Sequence, residues 1–255
     1  VVLQCREVRS AHDIPIRKLP CRVETLVKVA ADVMVLTVKL PPGEVFRFRA
    51  GQYIDFLLAD GGRRSFSIAN APTGGDTLEL HVREIPGGQF TGRVFASLKP
   101  RDILRLEGPL GSFFLREAAV EGGDKPVILL AGGTGFAPMK AIIEHLLDQP
   151  ARRAVTLYWG ARTLDGLYLH ALAERWTREL PGFRYVPVLS DEAPAGWTGH
   201  QGLVHRAVMT DWPDLSAHQV YACGAPAMID AARADFTQRC GLPDTAFFAD
   251  AFTFA

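Results

Sequence analysis

A glycine-rich turn after an apolar strand gives the strongest indication of chemistry in this sequence. The run Val127–Ala131 is fully apolar, and Gly132–Gly135 follows it before a helix that Pro138 can begin. Glycines let the backbone approach a phosphate, and a helix N-terminus offers free N–H groups and a positive dipole end. Proline suits the first turn of a helix, where its missing N–H is no loss. The turn therefore predicts a dinucleotide site, although its GxGxxP pattern lacks the third glycine of the usual fingerprint and also suits a plain βα turn.

A short segment, Arg63–Asn70, carries two arginines and two serines directly after the glycine turn Gly61–Gly62. A guanidinium group is well matched to a pyrophosphate, because its planar fork donates parallel hydrogen bonds. In an extended chain Ser65 and Ser67 face the same side, and the Ser67 hydroxyl can donate to a ring nitrogen. Taken alone, the segment is more typical of a solvated edge strand with a surface arginine.

Three further glycine turns connect elements elsewhere in the chain. Ile85–Thr91 precedes a short helix and is a natural place for an anion, although it also suits a plain connection. Gly108–Phe113 ends a strand and is equally explained by a simple turn. Val220–Pro226 leads a strand into a helix, where Cys223 is either a site residue or a small buried hydrophobe, the commoner role of a free cysteine.

Short strands separated by turns must position the segments of the first half. Thr77–Arg83 alternates polar and apolar residues with a period of two, as expected of a half-buried antiparallel strand. The strands predicted here are Val33–Leu40, Gly51–Leu58, Arg64–Ile68, Thr77–Glu84 and Ile103–Glu107, with one helix at Phe90–Ser97. Many short strands at this spacing indicate a small closed barrel.

Strands alternate with helices in the second half, which predicts a parallel sheet with right-handed crossovers. The predicted strands are Val127–Ala131, Val155–Trp159, Phe183–Leu189, Gln219–Cys223 and Thr245–Phe248, and the predicted helices are Pro138–Asp148, Leu167–Leu180, Leu203–Met209 and Ala225–Cys240. We therefore expect an all-β plus α/β protein, an antiparallel barrel followed by a Rossmann-like nucleotide-binding domain. Glu121–Pro126 marks the boundary, which gives a leading segment 1–20, a barrel 21–120 and a nucleotide domain 121–255.

Composition excludes several other classes of protein. The 28 basic and 28 acidic residues of this 255-residue chain cancel, whereas a broad nucleic-acid surface would leave a basic excess. No apolar run approaches the 20 or so residues of a membrane span, and the N-terminus lacks a signal-peptide pattern. The four cysteines (Cys5, Cys21, Cys223 and Cys240) form no CxxC pair, and the seven histidines show no ligand spacing. We expect no nucleic-acid or membrane partner and a reducing, cytoplasmic location.

Taken in order, the five segments resemble one family, the ferredoxin–NAD(P)⁺ reductase-type flavoproteins. Arg64–Ser67 is similar to the Arg-x-Tyr-Ser flavin motif of that family, with Phe66 in place of the tyrosine. The further matches are Gly87–Thr91 with its pyrophosphate loop, Ala131–Pro138 with its nicotinamide-nucleotide loop, Cys223–Gly224 with its Cys-Gly pair, and Phe248–Phe252 with the C-terminus of the bacterial flavin-reductase and oxygenase-reductase branch. The resemblance extends from about Cys21 to Ala255.

The resemblance implies that a hydride passes from NADH to FAD, and that single electrons then pass to a two-iron two-sulfur centre and on to an oxygenase or dehydratase. Reductases of aromatic-ring oxygenases and of CDP-deoxyhexose synthesis are the nearest branch. The catalytic residues it implies are Ser67, Thr134, Cys223 and Asp250. The cofactor-binding residues it implies are Arg64, Ser65, Phe66, Ser67, Ile68, His81, Val82, Gly87, Gly88, Gln89, Phe90, Thr91, Gly132, Gly133, Thr134, Gly135, Arg162, Cys223, Gly224 and Phe252, with Phe254 as an alternative flavin shield.

The first residues resemble the tail of a plant-type two-iron two-sulfur ferredoxin domain. In Val2–Val8, Cys5 would be the last cluster ligand, and the other three cysteines of that pattern are missing. One thiolate cannot hold a cluster that needs four, so we expect a reductase whose ferredoxin domain is truncated or left out. The alternative is a chance cysteine in a frayed N-terminus.

The sequence leaves two cofactor choices open, FAD against FMN and NADH against NADPH. Phe66 cannot make the hydrogen bond of a tyrosine hydroxyl, which would weaken flavin binding by about 1 kcal/mol and leaves FMN or an exchanging flavin open beside FAD. After the strand Val155–Trp159, Arg162 suits a 2′-phosphate and Asp165 suits a ribose 2′-hydroxyl. We expect NADH rather than NADPH from the oxygenase-reductase resemblance.

Two other functions fit parts of the pattern. One is a free NAD(P)H:flavin reductase, and the other is a non-catalytic nucleotide-binding subunit. The electron-transfer subunit of pyrimidine synthesis is disfavoured, because its C-terminal cysteine cluster has only Cys223 and Cys240 as counterparts here.

Overall fold

The structure, a computed structural model, describes residues 14–117, 124–147, 153–191 and 193–252. Six antiparallel strands and one helix form its first part. They are β1 (Arg17–Ala30), β2 (Val33–Lys39), β3 (Tyr53–Leu57), β4 (Arg63–Ser67), β5 (Thr77–Arg83), α1 (Gln89–Ala96) and β6 (Ile103–Leu110). The strand order is β4-β3-β6-β1-β2-β5, and an antiparallel bridge between Ile68 and Leu80 joins the two outer strands and closes a barrel.

The inward faces of the barrel strands supply its core. In β2, for example, Leu36 and Val38 are fully buried at every second position, which is the pattern expected of a strand with one face inward. Val94 of α1 is buried with this cluster, together with Phe90 near the start of the helix. The helix therefore covers one end of the barrel and presents its N-terminus at the barrel rim.

Parallel strands and helices form the second part of the chain. They are β7 (Val127–Gly132), α2 (Phe136–Leu147), β8 (Val155–Ala161), α3 (His170–Glu179), β9 (Phe183–Leu189), β10 (His200–Gln201), α4 (Val204–Asp211), β11 (Gln219–Gly224), α5 (Pro226–Arg239) and β12 (Phe247–Ala251). The sheet order is β10-β9-β8-β7-β11-β12. The chain order reverses between β7 and β11, and ligands of such sheets bind outside the carboxyl ends of the strands at that point. A 3₁₀ turn, Gly133–Gly135, occupies this position directly after β7.

The fold class predicted from sequence is confirmed. Every predicted helix and strand is present, with ends that differ by a few residues. Two strands, β1 and β10, were not predicted, and β1 begins at Arg17, before the predicted barrel boundary. The last strand extends to Ala251 rather than Phe248, which brings Asp250 into register with Cys223 of β11. Within the described residues, no helix combines the length and apolar character needed to cross a bilayer.

Candidate active site between the barrel and the parallel sheet

Two cavities meet where the barrel abuts the carboxyl edge of the parallel sheet. The first, of about 410 Å³, lies mainly on the barrel side, and the second, of about 930 Å³, lies over the turn that follows β7. Arg83, Thr134 and Phe252 line both cavities. Two ligands that fill the cavities would therefore touch at these three side chains.

Strand β4 forms one wall of the barrel-side cavity, and its four motif residues, Arg64–Ser67, all line it. Ser67 is only 5% exposed, and its Oγ has no hydrogen-bond partner among the described residues. A buried hydroxyl without a partner is costly, so its position at a cavity wall favours a ligand that completes the hydrogen bond. The neighbouring hydroxyl is already used, since Ser65 Oγ donates to Asp55 Oδ1 at 2.6 Å.

The two consecutive arginines of this segment differ in their partners. Arg63 is held by the carboxylates of Asp55 and Glu107, on the barrel strands β3 and β6. Among the described residues, Arg64 Nη1 donates only to a backbone carbonyl, that of Arg63, at 2.7 Å. The charge of Arg64 is therefore available to an anion in the cavity, whereas the charge of Arg63 is already neutralised.

The start of α1 forms a close-fitting cradle at the rim of the same cavity. A Cβ on Gly88 would lie 2.6 Å from Thr91 Oγ1 and 3.0 Å from the Ile85 carbonyl oxygen, so no other residue fits. Thr91 Oγ1 accepts a hydrogen bond from the Ile85 N–H at 3.1 Å, which fixes the loop. No side chain in the described part of the chain caps this helix N-terminus, and such a terminus binds anions through its N–H groups and dipole.

Phe66 is held in an aromatic cluster on the cavity wall. Its ring lies 5.8 Å from that of Phe56 and 5.5 Å from that of Phe90, both in tilted geometry. The ring therefore provides an apolar surface without the hydroxyl that the family motif carries. Tyr53, which sequence analysis did not select, supplies a phenol to the same cavity.

Close backbone packing explains the glycines of the turn after β7. A Cβ on Gly135 would lie 2.1 Å from the carbonyl oxygen of Cys223, and one on Gly132 would lie 2.7 Å from Met228 Sδ. Gly133 has a φ of +54°, a conformation that favours glycine. Trp159 Nε1 donates to the Gly133 carbonyl at 2.9 Å and fixes the turn from β8. The turn and the neighbouring Gly224 line the second cavity.

Arg83 reaches from the barrel strand β5 to the turn in the other domain. A Cβ on Gly133 would lie 2.8 Å from Arg83 Nη1, so the guanidinium lies directly against the glycine turn. Arg83 Nε is 3.2 Å from Asp32 Oδ2, in the hairpin between β1 and β2. A positive charge thus lies where both cavities meet, on a residue next to the predicted Val82.

The far end of the second cavity carries the residues expected to select the coenzyme. Arg162 pairs with Asp191, which follows β9, through an Nε–Oδ2 hydrogen bond and an Nη2–Oδ2 contact, each of 3.1 Å. Asp165 and Ser190 line the same end. A carboxylate beside the guanidinium offsets the positive charge that a 2′-phosphate would need.

Cys223 and Asp250 lie side by side on β11 and β12 but differ in access to the cavities. Cys223 is fully buried, burial raises the pKa of its thiol well above the usual value, and its side chain belongs to the core. Asp250 lines the barrel-side cavity with Tyr53, and burial raises the pKa of its carboxyl. The carboxylate is thus the group of this pair that can meet a ligand in the barrel-side cavity.

Several other predicted site residues lie at the edge of this arrangement. Ile68 and Val82 are fully buried in the barrel core, so only their backbones are available to a ligand. His81 lines the barrel-side cavity and is hydrogen-bonded to Tyr168. Gly87 and Gln89 flank the α1 cradle. Cys5 and Phe254 lie outside the described residues.

Sequence analysis missed Tyr53, Arg83 and Asp191. Of these, Arg83 could have been predicted most easily, because it lies two residues after His81, on the same face of a strand that was already assigned to the site. Tyr53 and Asp191 reach the cavities only through the way the strands are arranged in space, which no local pattern indicates.

A closed barrel with a cavity that adjoins a glycine turn, at the switch point of a parallel sheet, is the arrangement of oxidoreductases that join an FAD-binding domain to an NAD-binding domain. Residues 20–115 match the family of the oxidoreductase FAD-binding domain, and residues 129–234 match that of the oxidoreductase NAD-binding domain. The chain belongs to the ferredoxin–NAD(P)⁺ reductase-type flavoproteins.

Individual proteins of this family are similar to the chain over most of its length. The CDP-6-deoxy-L-threo-D-glycero-4-hexulose-3-dehydrase reductase of Yersinia pseudotuberculosis is 46% identical over 91% of this chain and 68% of its own length. Reductase component 1 of terephthalate 1,2-dioxygenase from Comamonas sp. is 37% identical over 92% of this chain and 68% of its own. The crystal structure of a cytochrome P450 reductase from Amycolatopsis superposes with a TM-score of 0.87 at 33% identity, covering 96% of this chain and 74% of that one.

Proposed function

We propose that this chain takes a hydride from NADH onto bound FAD and passes the electrons one at a time to a two-iron two-sulfur partner. The supporting observation is the junction of the two cavities at Arg83, Thr134 and Phe252, beside the unpartnered Ser67 hydroxyl. When bound, FAD supplies the chemistry, because it accepts two electrons as a hydride and releases them singly. The protein has to bind, orient and shield the two reactants.

The barrel residues fit a flavin with a phosphate chain. Arg64 and the N–H groups at the start of α1, beside Gly88, would bind its phosphates, and the Ser67 hydroxyl would donate to the ring. The aromatic wall around Phe66 would exclude water from the ring. Because Arg64 and the α1 terminus supply two separate anion sites, we propose FAD, with its diphosphate, rather than FMN.

The residues of the parallel sheet fit a nicotinamide nucleotide. The turn Gly132–Gly135 and Arg83 would bind its diphosphate, and Thr134 would lie beside its ring at the junction. Asp250 is placed to hold or release a proton at its carboxyl, since burial raises its pKa. Phe252 covers the junction. Cys223 contributes to the site only through its backbone, against which Gly135 packs.

We propose NADH as the physiological coenzyme. The Asp191 carboxylate lies against Arg162, so the guanidinium expected to meet a 2′-phosphate is paired with a negative charge. A 2′-phosphate would have to displace or adjoin that carboxylate, whereas a ribose 2′-hydroxyl can donate to it.

The iron–sulfur acceptor of this proposal rests on the resemblance of the sequence motifs, and the final oxygenase or dehydratase is supported by the names of the relatives. One serves a hexulose dehydrase, one is a dioxygenase component, and a third is the reductase subunit of an aromatic O-demethylase. A reducing cytoplasm suits the three free, buried cysteines of the described residues. We propose that the residues before β1, which begins at Arg17, are the tail of a ferredoxin domain and a linker, and that 121–126 separate the two domains described above.

The experiment is anaerobic stopped-flow mixing of the FAD-loaded protein with NADH or NADPH. We expect rapid bleaching of the flavin with NADH, at least tenfold slower bleaching with NADPH, and reoxidation by a plant-type ferredoxin. Protein that takes up no flavin, or that binds NADH without bleaching it, would contradict the proposal. Reoxidation by free flavin but not by ferredoxin would favour the free flavin reductase instead.

A further inference from the structure

A buried ion-pair network crosses the boundary between the two domains beside the cavity junction. Lys140 of α2 is 6% exposed, and its ammonium group contacts three acceptors. They are Glu79 Oε1 at 3.1 Å, the Ala69 carbonyl at 3.3 Å and Glu144 Oε1 at 2.6 Å. An ammonium group has three N–H donors, so all three are used. Two of the acceptors belong to the barrel and one to the helix that carries the lysine.

Three further polar contacts surround this network. His81, also on β5, contacts Glu79 Oε1 through Nε2 at 3.0 Å and the hydroxyl of Tyr168 through Nδ1 at 2.8 Å. Tyr168 lies beyond β8 in the nucleotide domain, so this pair also crosses the boundary. The Ala71 N–H donates to the second oxygen of Glu144 at 3.3 Å. The barrel therefore holds α2 through a charge and a backbone amide, and it holds the segment before α3 through a hydrogen-bonded histidine.

The network joins β5 and α2, and each of these two elements also positions a residue at the cavity junction. Thr134 precedes Lys140 by six residues, about 9 Å along a helix, in the turn that opens α2. Arg83 follows Glu79 by four residues on β5, and its guanidinium lies against the turn. Any slip of α2 along β5 would change the distance between the two cavities.

We propose that Lys140 is a positioning residue, which through Glu79 and Ala69 sets the separation of the hydride donor and acceptor across the domain boundary. A buried charge is costly unless its partners are in place, so the pair tolerates one docking geometry and disfavours others. Of the residues proposed to bind NADH, the glycine turn and Arg162 lie in the nucleotide domain itself, and Arg83 reaches them from the barrel. Loss of Lys140 should therefore impair transfer far more than NADH binding. The inference rests on the proposed function.

The test compares Lys140→Met, Lys140→Arg and the wild type, all loaded with FAD. We expect Lys140→Met to lower the limiting rate of flavin bleaching by NADH at least tenfold, with the NADH Kd changed less than threefold. The long-wavelength absorbance of stacked flavin and nicotinamide should weaken in the same variant. Lys140→Arg keeps the charge and should recover part of the rate. The matched control is Lys39→Met, which breaks an exposed ion pair with Asp76 within the barrel domain. It should change neither the bleaching rate nor the long-wavelength absorbance.

Hydrogen–deuterium exchange supplies a readout that is independent of turnover. The Ala71 amide and the first turns of α2 should exchange faster in Lys140→Met, while β2 in the barrel core should not change. Because a single buried substitution can unfold a protein, the double variant Glu79→Gln/Lys140→Met removes both charges and serves as a second test. It should fold, bind FAD and still bleach slowly.

The outcomes separate this inference from the proposed function. A wild type that NADH does not bleach would refute the proposed function. A wild type that bleaches, with Lys140→Met equal to it in limiting rate and absorbance, would refute the positioning role. Loss of rate only in proportion to lost flavin or lost folded protein, in both the single and double variants, would reduce Lys140 to a structural role and also overturn the inference.

Discussion

Gly135 packs directly against the backbone of Cys223, with space for a hydrogen atom and nothing larger. A Cβ on Gly135 would lie 2.1 Å from the carbonyl oxygen of Cys223 and 3.0 Å from the amide nitrogen of Gly224. The last glycine of the turn after β7 is therefore required for the approach of two backbones. The Cys-Gly pair and the glycine turn, which are almost 90 residues apart in sequence, form one structural unit.

Gly135→Ala should consequently destabilise the nucleotide domain and weaken NADH binding. Overpacking of this kind costs up to roughly 3 kcal/mol, since neither backbone can move without disturbing β11. Urea unfolding should show the loss, and titration with NADH should show at least tenfold weaker binding. Gly75→Ala, in an exposed loop with its nearest heavy atom at 3.6 Å, is the control and should be neutral or slightly stabilising. Equal behaviour of the two variants would contradict the packing argument.

Ser67→Ala should have opposite effects on the flavin-free and flavin-loaded protein. The Ser67 hydroxyl is buried without a partner among the described residues, so its removal should raise the stability of the flavin-free protein by about 1 kcal/mol. The loaded protein should lose a hydrogen bond to the flavin, with roughly fivefold weaker binding and slower bleaching. Thermal unfolding with and without FAD measures both effects.

Ser65→Ala is the matched comparison on the same strand. Its hydroxyl donates to the buried Asp55, so removal should lower the stability of the flavin-free protein instead of raising it. If both substitutions lowered the stability of the flavin-free protein, the Ser67 hydroxyl would have a hydrogen-bond partner within the protein and would not be reserved for a ligand.

Asp191→Asn should improve the use of NADPH. The substitution removes the negative charge beside Arg162 and leaves the guanidinium able to contact a 2′-phosphate. Because Arg162 is highly exposed, a gain of about 1 kcal/mol is expected, or roughly fivefold in kcat/KM for NADPH, with little loss for NADH. The double variant Arg162→Leu/Asp191→Asn should lose the gain. A single variant with unchanged coenzyme preference would place the discrimination elsewhere, at Asp165 for example.

The sequence predicted those parts of this protein whose pattern is local. The apolar β7 and the glycines after it lie next to one another in the chain, so their strand–turn–helix structure and its ligand class were predictable. Strand β1 was not, because only Leu19, Cys21 and Val23 in its first half are buried in alternation, and two register shifts interrupt its pairing with β2. A strand that is half exposed and bulged lacks the period of two on which its prediction depends.

The contacts between the two domains also could not be predicted from the sequence. Lys140 lies on a helix face that would otherwise be assigned to the core, and a lysine there predicts nothing without its partners. Glu79 occupies a polar position of an alternating strand, where a solvated carboxylate is the ordinary expectation. Their pairing depends on how α2 docks against β5, where the rings of Phe136 and His81 stack with centroids 6.2 Å apart across the boundary, and not on local propensity.

Glu79 and His81 should make the stability of the protein sensitive to acid. Burial alone would raise the pKa of Glu79, but the hydrogen bond from His81 and the charge of Lys140 outweigh it and lower that pKa to about 2. Burial lowers the pKa of His81, against the opposing effect of Glu79. Both groups therefore bind protons more readily in the unfolded chain, so the free energy of unfolding falls as the pH falls.

The two groups act in different pH windows. The His81 contribution is complete above its unfolded pKa of 6.5 and declines below it, whereas the Glu79 contribution persists to about pH 4.5 and is lost between there and about pH 2. Glu79→Gln has no carboxylate to protonate. We therefore expect it to be less stable than the wild type at pH 7, by at most about 3 kcal/mol, and the gap to narrow between pH 4.5 and pH 3.

Urea unfolding followed by far-ultraviolet circular dichroism at pH 7, 4.5 and 3 measures this gap. Glu24→Gln, which breaks an exposed pair with Arg22, is the control and should lie close to the wild type at each pH, because a solvated pair contributes little. A gap for Glu79→Gln that stayed constant from pH 4.5 to pH 3 would mean that Glu79 is not held as a carboxylate by Lys140 and His81. The charge on which the domain contact depends would then have to come from Glu144 alone.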